Sequence, residues 1–179
     1  MAGVRAGDDR AFEAMFRAYR DGLVAFAESL LRSNEAAQEV VQDLFLRIWQ
    51  MRDLWEPRGA LNAYLYRATR NRAIMRLRRH RAELSLHERL SNVDPATISS
   101  VLDPSDSRAE VADLESAISL AVAELPARCK EVFCLSRDHH LSNAQIADVM
   151  QISVKTVEVH MTRALGHLRR RLADWRGKD

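Results

Sequence analysis

Four side chains within a short span, Cys129, Cys134, His139 and His140, are the first candidates for chemistry, because thiolate and imidazole are the usual ligands of zinc. Their spacing argues against a shared site. Cys129 and Cys134 fall on one helical pattern, and a helix with about 3.6 residues per turn points them about 140 degrees apart. Buried, inert thiols and turn histidines are therefore expected, with no metal. No Gly-rich phosphate loop, HExxH pair or nucleophile motif is present, so no catalytic residue and no cofactor is expected either.

The remaining chemistry is cationic. The chain carries 27 Lys and Arg against 25 Asp and Glu, a net charge of +2, so distribution matters more than total. Arg67, Arg70, Arg72, Arg76, Arg78, Arg79 and Arg81 follow one another with no acid among them, and Arg169, Arg170 and Arg171 form a second cluster. On a helical wheel Arg67, Arg70, Asn71, Arg78 and Arg81 line one face, with Tyr64 beside it, while Leu61, Leu65, Ala68 and Met75 share a core face. Cations for phosphates, an aromatic ring for stacking and an amide for a base edge are what single-stranded or unpaired DNA requires. An ordinary solvated helix end would give the same stripe, so the residues alone leave both readings open.

A second DNA signal lies near the C-terminus. In "LSNAQIADVMQISVKTVEVHM", Ser142 and Gln145 form a capping box, and Ser153 caps another helix after a turn of about four residues, which makes a helix-turn-helix. Val154, Val157, Met161, Leu165, Leu168 and Leu172 share the inward face of the second helix. Lys155, Thr156, Val159, Thr162 and Arg163 then face outward, flanked by Glu158 and His160. Cationic, hydroxyl and small apolar groups on one helix face suit the major groove of duplex DNA. The motif by itself would also suit the output domain of a LuxR-type regulator.

These candidates must be positioned by helices, since no strand pattern or repeat stands out. Phe12, Met15, Phe16, Tyr19, Leu23, Phe26 and Leu30 predict a long amphipathic helix beginning at Asp8 and Asp9. Ser33 and Asn34 start a second, with Val40, Val41, Leu44, Phe45 and Ile48 inward, ending before Pro57 and Gly59. A third runs from about Leu61 to beyond Leu77. The stretch "NVDPATISSVLDPSDS" has no basic residue and no sustained periodicity, and reads as a linker. Helices resume near Glu110 with Leu114, Ile118, Ala121, Val122 and Leu125, and Pro126 opens another at its first position, with Val132, Phe133 and Leu135 as its apolar face. The expectation is an all-α fold of two small helical domains, residues 8–91 and 109–175, joined by a flexible linker at 92–108. Two cysteines, no apolar leader and no run of about 20 apolar residues predict a cytoplasmic protein without direct membrane insertion.

Taken in order, "EVVQDLFLRIWQ", "AYLYRATRNRAIMRLRRHR" and "ELPARCKEVFCLSRDHHLSNAQIADVMQISVKTVEVHMTRALGHLRR" resemble the extracytoplasmic-function (ECF) sigma factors of the bacterial sigma-70 family, and "KTVEVHM" looks most like the ferric-citrate-type branch. The resemblance implies a sigma region two bundle and a sigma region four helix-turn-helix. It also implies binding of core RNA polymerase, at the beta-prime clamp helices and the beta flap, and promoter recognition with DNA melting. Gln42 and Asp43 match the polar pair that docks on the clamp helices. Tyr64, Arg67 and Asn71 match positions near the melted minus-ten element, Asn71 where the family can hold a flipped base, and Arg70 and Arg78 extend that basic stripe. Tyr64 stands where many relatives carry Trp. Lys155, Thr156, Glu158, Val159, His160, Thr162 and Arg163 would read the minus-thirty-five element, and Glu158 and His160 replace the Arg of several relatives. The linker would thread the polymerase's channels, and an anti-sigma factor is the further partner implied.

Overall fold

The computed structural model describes residues 1–57, 59–90 and 109–173, without the side chains of 84–90 and 109–115. Among them are eight α-helices: α1 (Ala2–Arg5), α2 (Asp9–Leu31), α3 (Asn34–Gln50), α4 (Leu61–Leu90), α5 (Ala109–Ala123), α6 (Ala127–Arg137), α7 (Asn143–Met150) and α8 (Val154–Arg171). The proposed linker, residues 92–108, lies outside the described residues.

Local chemistry starts these helices where the pattern predicted. The Asp8 carboxylate accepts from the backbone N–H groups of Arg10 and Ala11, and the Ser33 hydroxyl from that of Ala36, satisfying donors that a first helical turn leaves free. Ser142 and Gln145 form the reciprocal capping box of α7, and Ser153 caps α8. The turn between α7 and α8 places Gln151 in the left-handed region at φ 56°, a position usually given to glycine; its side-chain amide donates to the Asp148 carbonyl at 2.7 Å. Pro126 differs by one position from the sequence expectation, serving as the N-cap of α6 rather than its first residue.

Helices α2, α3 and α4 form the N-terminal bundle. Leu23, Phe26, Val41, Leu44, Phe45, Ile48 and Leu65 are fully or almost fully buried within it. Phe45 takes two edge-on rings, Phe12 at 6.1 Å and Phe16 at 4.9 Å, the geometry that aromatic quadrupoles favour. Trp55, in the connection between α3 and α4, is also buried. A lone aromatic in a loop carries no periodicity to reveal it.

The C-terminal unit is tied into the same core. Val132 and Leu135 of α6, Leu141, Ile146, Val149 and Met150 of α7 and its approach, and Val157 of α8 are continuous with the buried residues of α2, α3 and α4. A smaller cluster, Ala121, Leu125, Cys129, Ala164 and Leu168, joins α5, α6 and α8. The two units are thus packed together, with α7 lying on α4.

Three wheel assignments need correction. Met75, expected in the core, is 68% exposed, because the face that α4 buries is the opposite one, carrying Tyr66, Thr69 and Ala73. Val154, at the first position of α8, is 41% exposed, since the first turn lies outside the packed face. Ile118 is likewise exposed on α5.

Candidate nucleic-acid and polymerase interface

Along α3 the alternation of faces sets Gln42 and Asp43 outward, both exposed, while Val40, Val41, Leu44, Phe45 and Ile48 anchor the helix inward. Asp43 borders an open cleft of about 600 Å³ shared with Arg72, Met75, Arg76 and Glu83 of α4. Arg76 is paired with Glu39 across the helices. A carboxylate rimmed by guanidinium groups and exposed Met75 makes a mixed polar and apolar docking face.

A second recess, of about 310 Å³, lies between the end of α3 and α4. Tyr64 forms part of its wall and meets Trp55 edge-on at 6.0 Å. Trp55 Nε1 is buried without a hydrogen-bond partner, and Arg47, Arg72 and Glu56 form the charged part of the wall. Burial above all, reinforced by Arg47, holds the Arg72 guanidinium below its ordinary pKa, while Tyr64 and Asp43 offset part of the shift. Asn71 is exposed on α4 but is not among the residues lining the recess. The sequence reading overlooked Arg47 and Trp55 and gave no site role to Arg72; only Arg72 carried a signal, its place in the arginine run.

The basic stripe of α4 is divided rather than continuous. Asn71, Arg78 and Arg81 face solvent. Arg67 is half-buried, with Nη1 donating to Asp148 Oδ1 of α7 at 2.7 Å. Arg70 lies against the C-terminal unit, its Nε donating to Glu131 Oε2 of α6 at 2.9 Å, and the two side chains are only 7% and 12% exposed. The wheel expectation of Arg70 on a solvent stripe is corrected: α7 packs on α4, and Glu131 of α6 reaches Arg70 from beside it.

On α8, Lys155, Glu158, Val159, Thr162 and Arg163 are exposed along one face. Thr156 is half-buried, its hydroxyl 2.8 Å from that of Ser153 at the cap. His160 is also half-buried, with Nδ1 at 3.7 Å from Cys129 Sγ. It therefore sits at the margin of the face, where the sequence placed it. Both thiols are buried and unpaired, and burial foremost, with Asp138, pushes that of Cys134 up to about 11. No group of three or more metal-ligating side chains occurs among the described residues.

Two helical units thus present a basic, aromatic-lined recess on one side and a helix-turn-helix reading face on the other. Sigma-70 region 2 matches residues 15–83, and Sigma-70, region 4, matches residues 115–168. The chain belongs to the sigma-70 family. The region 2 match covers residues that a LuxR-type output domain leaves without explanation. The ECF RNA polymerase sigma factor SigW of Bacillus subtilis is 26% identical over 96% of this chain and 94% of its own length. The RNA polymerase sigma factor CnrH of Cupriavidus metallidurans is 29% identical over 93% of this chain and 89% of its own. Among solved structures, the sigma factor RpoE in complex with the anti-sigma factor NepR from Bartonella quintana superposes with a TM-score of 0.67 at 21% identity, covering 92% of this chain and 98% of that one. CnrH in complex with the cytosolic domain of CnrY gives 0.65 at 23%, covering 97% and 94%. At these identities the two structures speak for the shared fold.

Proposed function

We propose that this ECF-type sigma factor binds core RNA polymerase through the outer face of α3, reads two promoter elements and helps open the proximal one, acting by binding rather than by catalysis. The single observation that carries this reading is the match of both sigma-70 regions, in order, to the two helical units.

Each unit supplies chemistry suited to its part. The exposed pair Gln42 and Asp43 offers the polar contact to the polymerase clamp helices, backed by a buried helix face that holds them in register. In the minus-ten element, Tyr64, Arg67, Arg70, Asn71 and Arg78 would engage the separated strand. The recess beside Tyr64 adds the Arg72 cation, and stacking together with such a donor offsets the few kcal/mol needed to unstack a base. For the upstream element, Lys155, Glu158, Val159, Thr162 and Arg163 project as α8 would require in a major groove, with Thr156 and His160 at the edge. The region 4 unit would also meet the beta flap of the polymerase. No described helix is long and apolar enough to cross a membrane, consistent with work in the cytoplasm beside the polymerase.

The relatives RpoE and CnrH, each solved with a partner, support an anti-sigma factor for this chain as well. The deciding experiment is gel filtration with core RNA polymerase. Wild type should coelute and Asp43→Arg should not, since the substitution reverses charge at the docking face. Failure of the wild type to coelute refutes the reading.

A further inference from the structure

A cleft of about 540 Å³ opens where the end of α2, the middle of α4, the end of α5 and the start of α6 meet. Its walls are aliphatic: Leu30 and Leu31 of α2, Ile74 and Leu77 of α4, and Leu125 in the connection between α5 and α6. Ile74 and Leu77 are half-buried, yet neither belongs to either of the two core clusters. The cleft therefore holds apolar surface that the core itself does not use. Three cations stand among the same lining residues, Arg32, Arg81 and Lys130, and none of them forms an ion pair among the described residues. The single carboxylate among the described lining residues, Glu131, is already engaged by Arg70 at 2.9 Å and Arg128 at 3.5 Å.

We propose that this cleft is a binding site for an amphiphile of the fatty-acid class, with its alkyl chain along the leucine and isoleucine side chains and its carboxylate at Arg32, Arg81 and Lys130. The chemistry of the lining selects this class. An unbranched chain suits aliphatic walls, and no aromatic ring lines the cleft to stack on a planar ligand. The unpaired cations call for a negative head, because Glu131 is held elsewhere and does not neutralise them. The size also fits, since small-molecule sites usually span about 300–1,000 Å³ and are frequent at domain junctions.

The position of the cleft has a consequence. Helices α2 and α4 belong to the N-terminal unit, α5 and α6 to the C-terminal one, so both units furnish walls. A ligand seated here touches both, and its binding is coupled to their packing: whatever separates the units dismantles the site and releases the ligand. The chain thereby gains a way of responding to a small amphiphile. Binding of this kind does not depend on the sigma-factor reading.

Isothermal titration of the full chain with sodium dodecanoate, below its micelle concentration, tests the assignment. One molecule should bind per chain. Each methylene removed should weaken binding roughly fourfold, so decanoate should bind about fifteenfold more weakly. Dodecyltrimethylammonium, the same chain with a cationic head, should not bind. Two variants locate the site. Arg32→Glu with Lys130→Glu reverses charge at the head position and should weaken dodecanoate by about tenfold or more. Ala123→Trp, at an exposed position on the cleft wall, places an indole in the space and should abolish binding. Circular dichroism checks that both variants keep their helices. Dodecanoate should also raise the urea midpoint of wild type but not that of Ala123→Trp. No binding of dodecanoate, equal binding of dodecyltrimethylammonium, or full affinity in either folded variant overturns the proposal. Vesicles of phosphatidylglycerol should not retain the protein; retention without binding of monomeric dodecanoate makes the cleft part of a lipid-surface contact and overturns it as well.

Discussion

Leu135→Ala probes whether the two units share one core in solution. Leu135 lies on α6, is fully buried, and belongs to the cluster that runs from α2, α3 and α4 into α6, α7 and α8. Truncating a buried leucine removes its transfer free energy and leaves a cavity, together ~2–5 kcal/mol. With a urea dependence of ~2 kcal/mol/M for a domain of this class, a loss of ~3 kcal/mol moves the midpoint down by ~1.5 M. The informative probe is in the other unit. Trp49 and Trp55 both lie in the N-terminal unit, so their fluorescence in a Trp175→Phe background reports its unfolding, and circular dichroism reports all helices. A continuous core predicts that both signals shift together by the same amount. If the tryptophan transition stays at its wild-type midpoint while part of the helical signal is lost earlier, the units unfold independently and the shared core is refuted.

Two further perturbations address function and pH. Arg163→Ala should weaken binding of the cognate upstream duplex by ~1–3 kcal/mol if the guanidinium contacts a base edge, measured by fluorescence anisotropy; unchanged affinity removes Arg163 from the reading face. Burial foremost, with His140 adding to it and Asp138 opposing it, holds His139 below its ordinary pKa, and the groups facing it from α2 and α4 are Phe26, Tyr66 and the Gly22 backbone, none of them anionic. A depressed imidazole pKa means that docking is at full strength above the ordinary value of about 6.5 and weakens as pH falls below it through the lowered value, because the freed ring takes up a proton more readily. The radius of gyration should accordingly rise on acidification in wild type and respond less in His139→Phe, which keeps a ring without the titration; an identical pH response in the two excludes His139 as the cause.

Much of the scaffold was legible because it depends on local rules. Asp8, Ser33, Ser142 and Ser153 cap the helices they were expected to cap, since each needs only its own side chain and the next three residues. The buried stripe of α3 followed from a regular repeat, which also fixed Gln42 and Asp43 on the outside. Trp55 was missed because its burial depends on the path of a loop, and Met75 was misplaced because it is in phase with the partly buried Leu61 and Ala68, whereas α4 buries the face of Tyr66, Thr69 and Ala73.

Arg70 shows the deeper limit. An arginine on the flank of an amphipathic helix satisfies the same pattern whether its partner is a phosphate of another molecule or a carboxylate of its own chain. Glu131, sixty-one residues away, supplies no periodic signal that would pair it with α4. The two possibilities are also physically linked. A surface built to hold DNA by guanidinium groups is, for that reason, a surface that a suitably placed acidic helix face can cover.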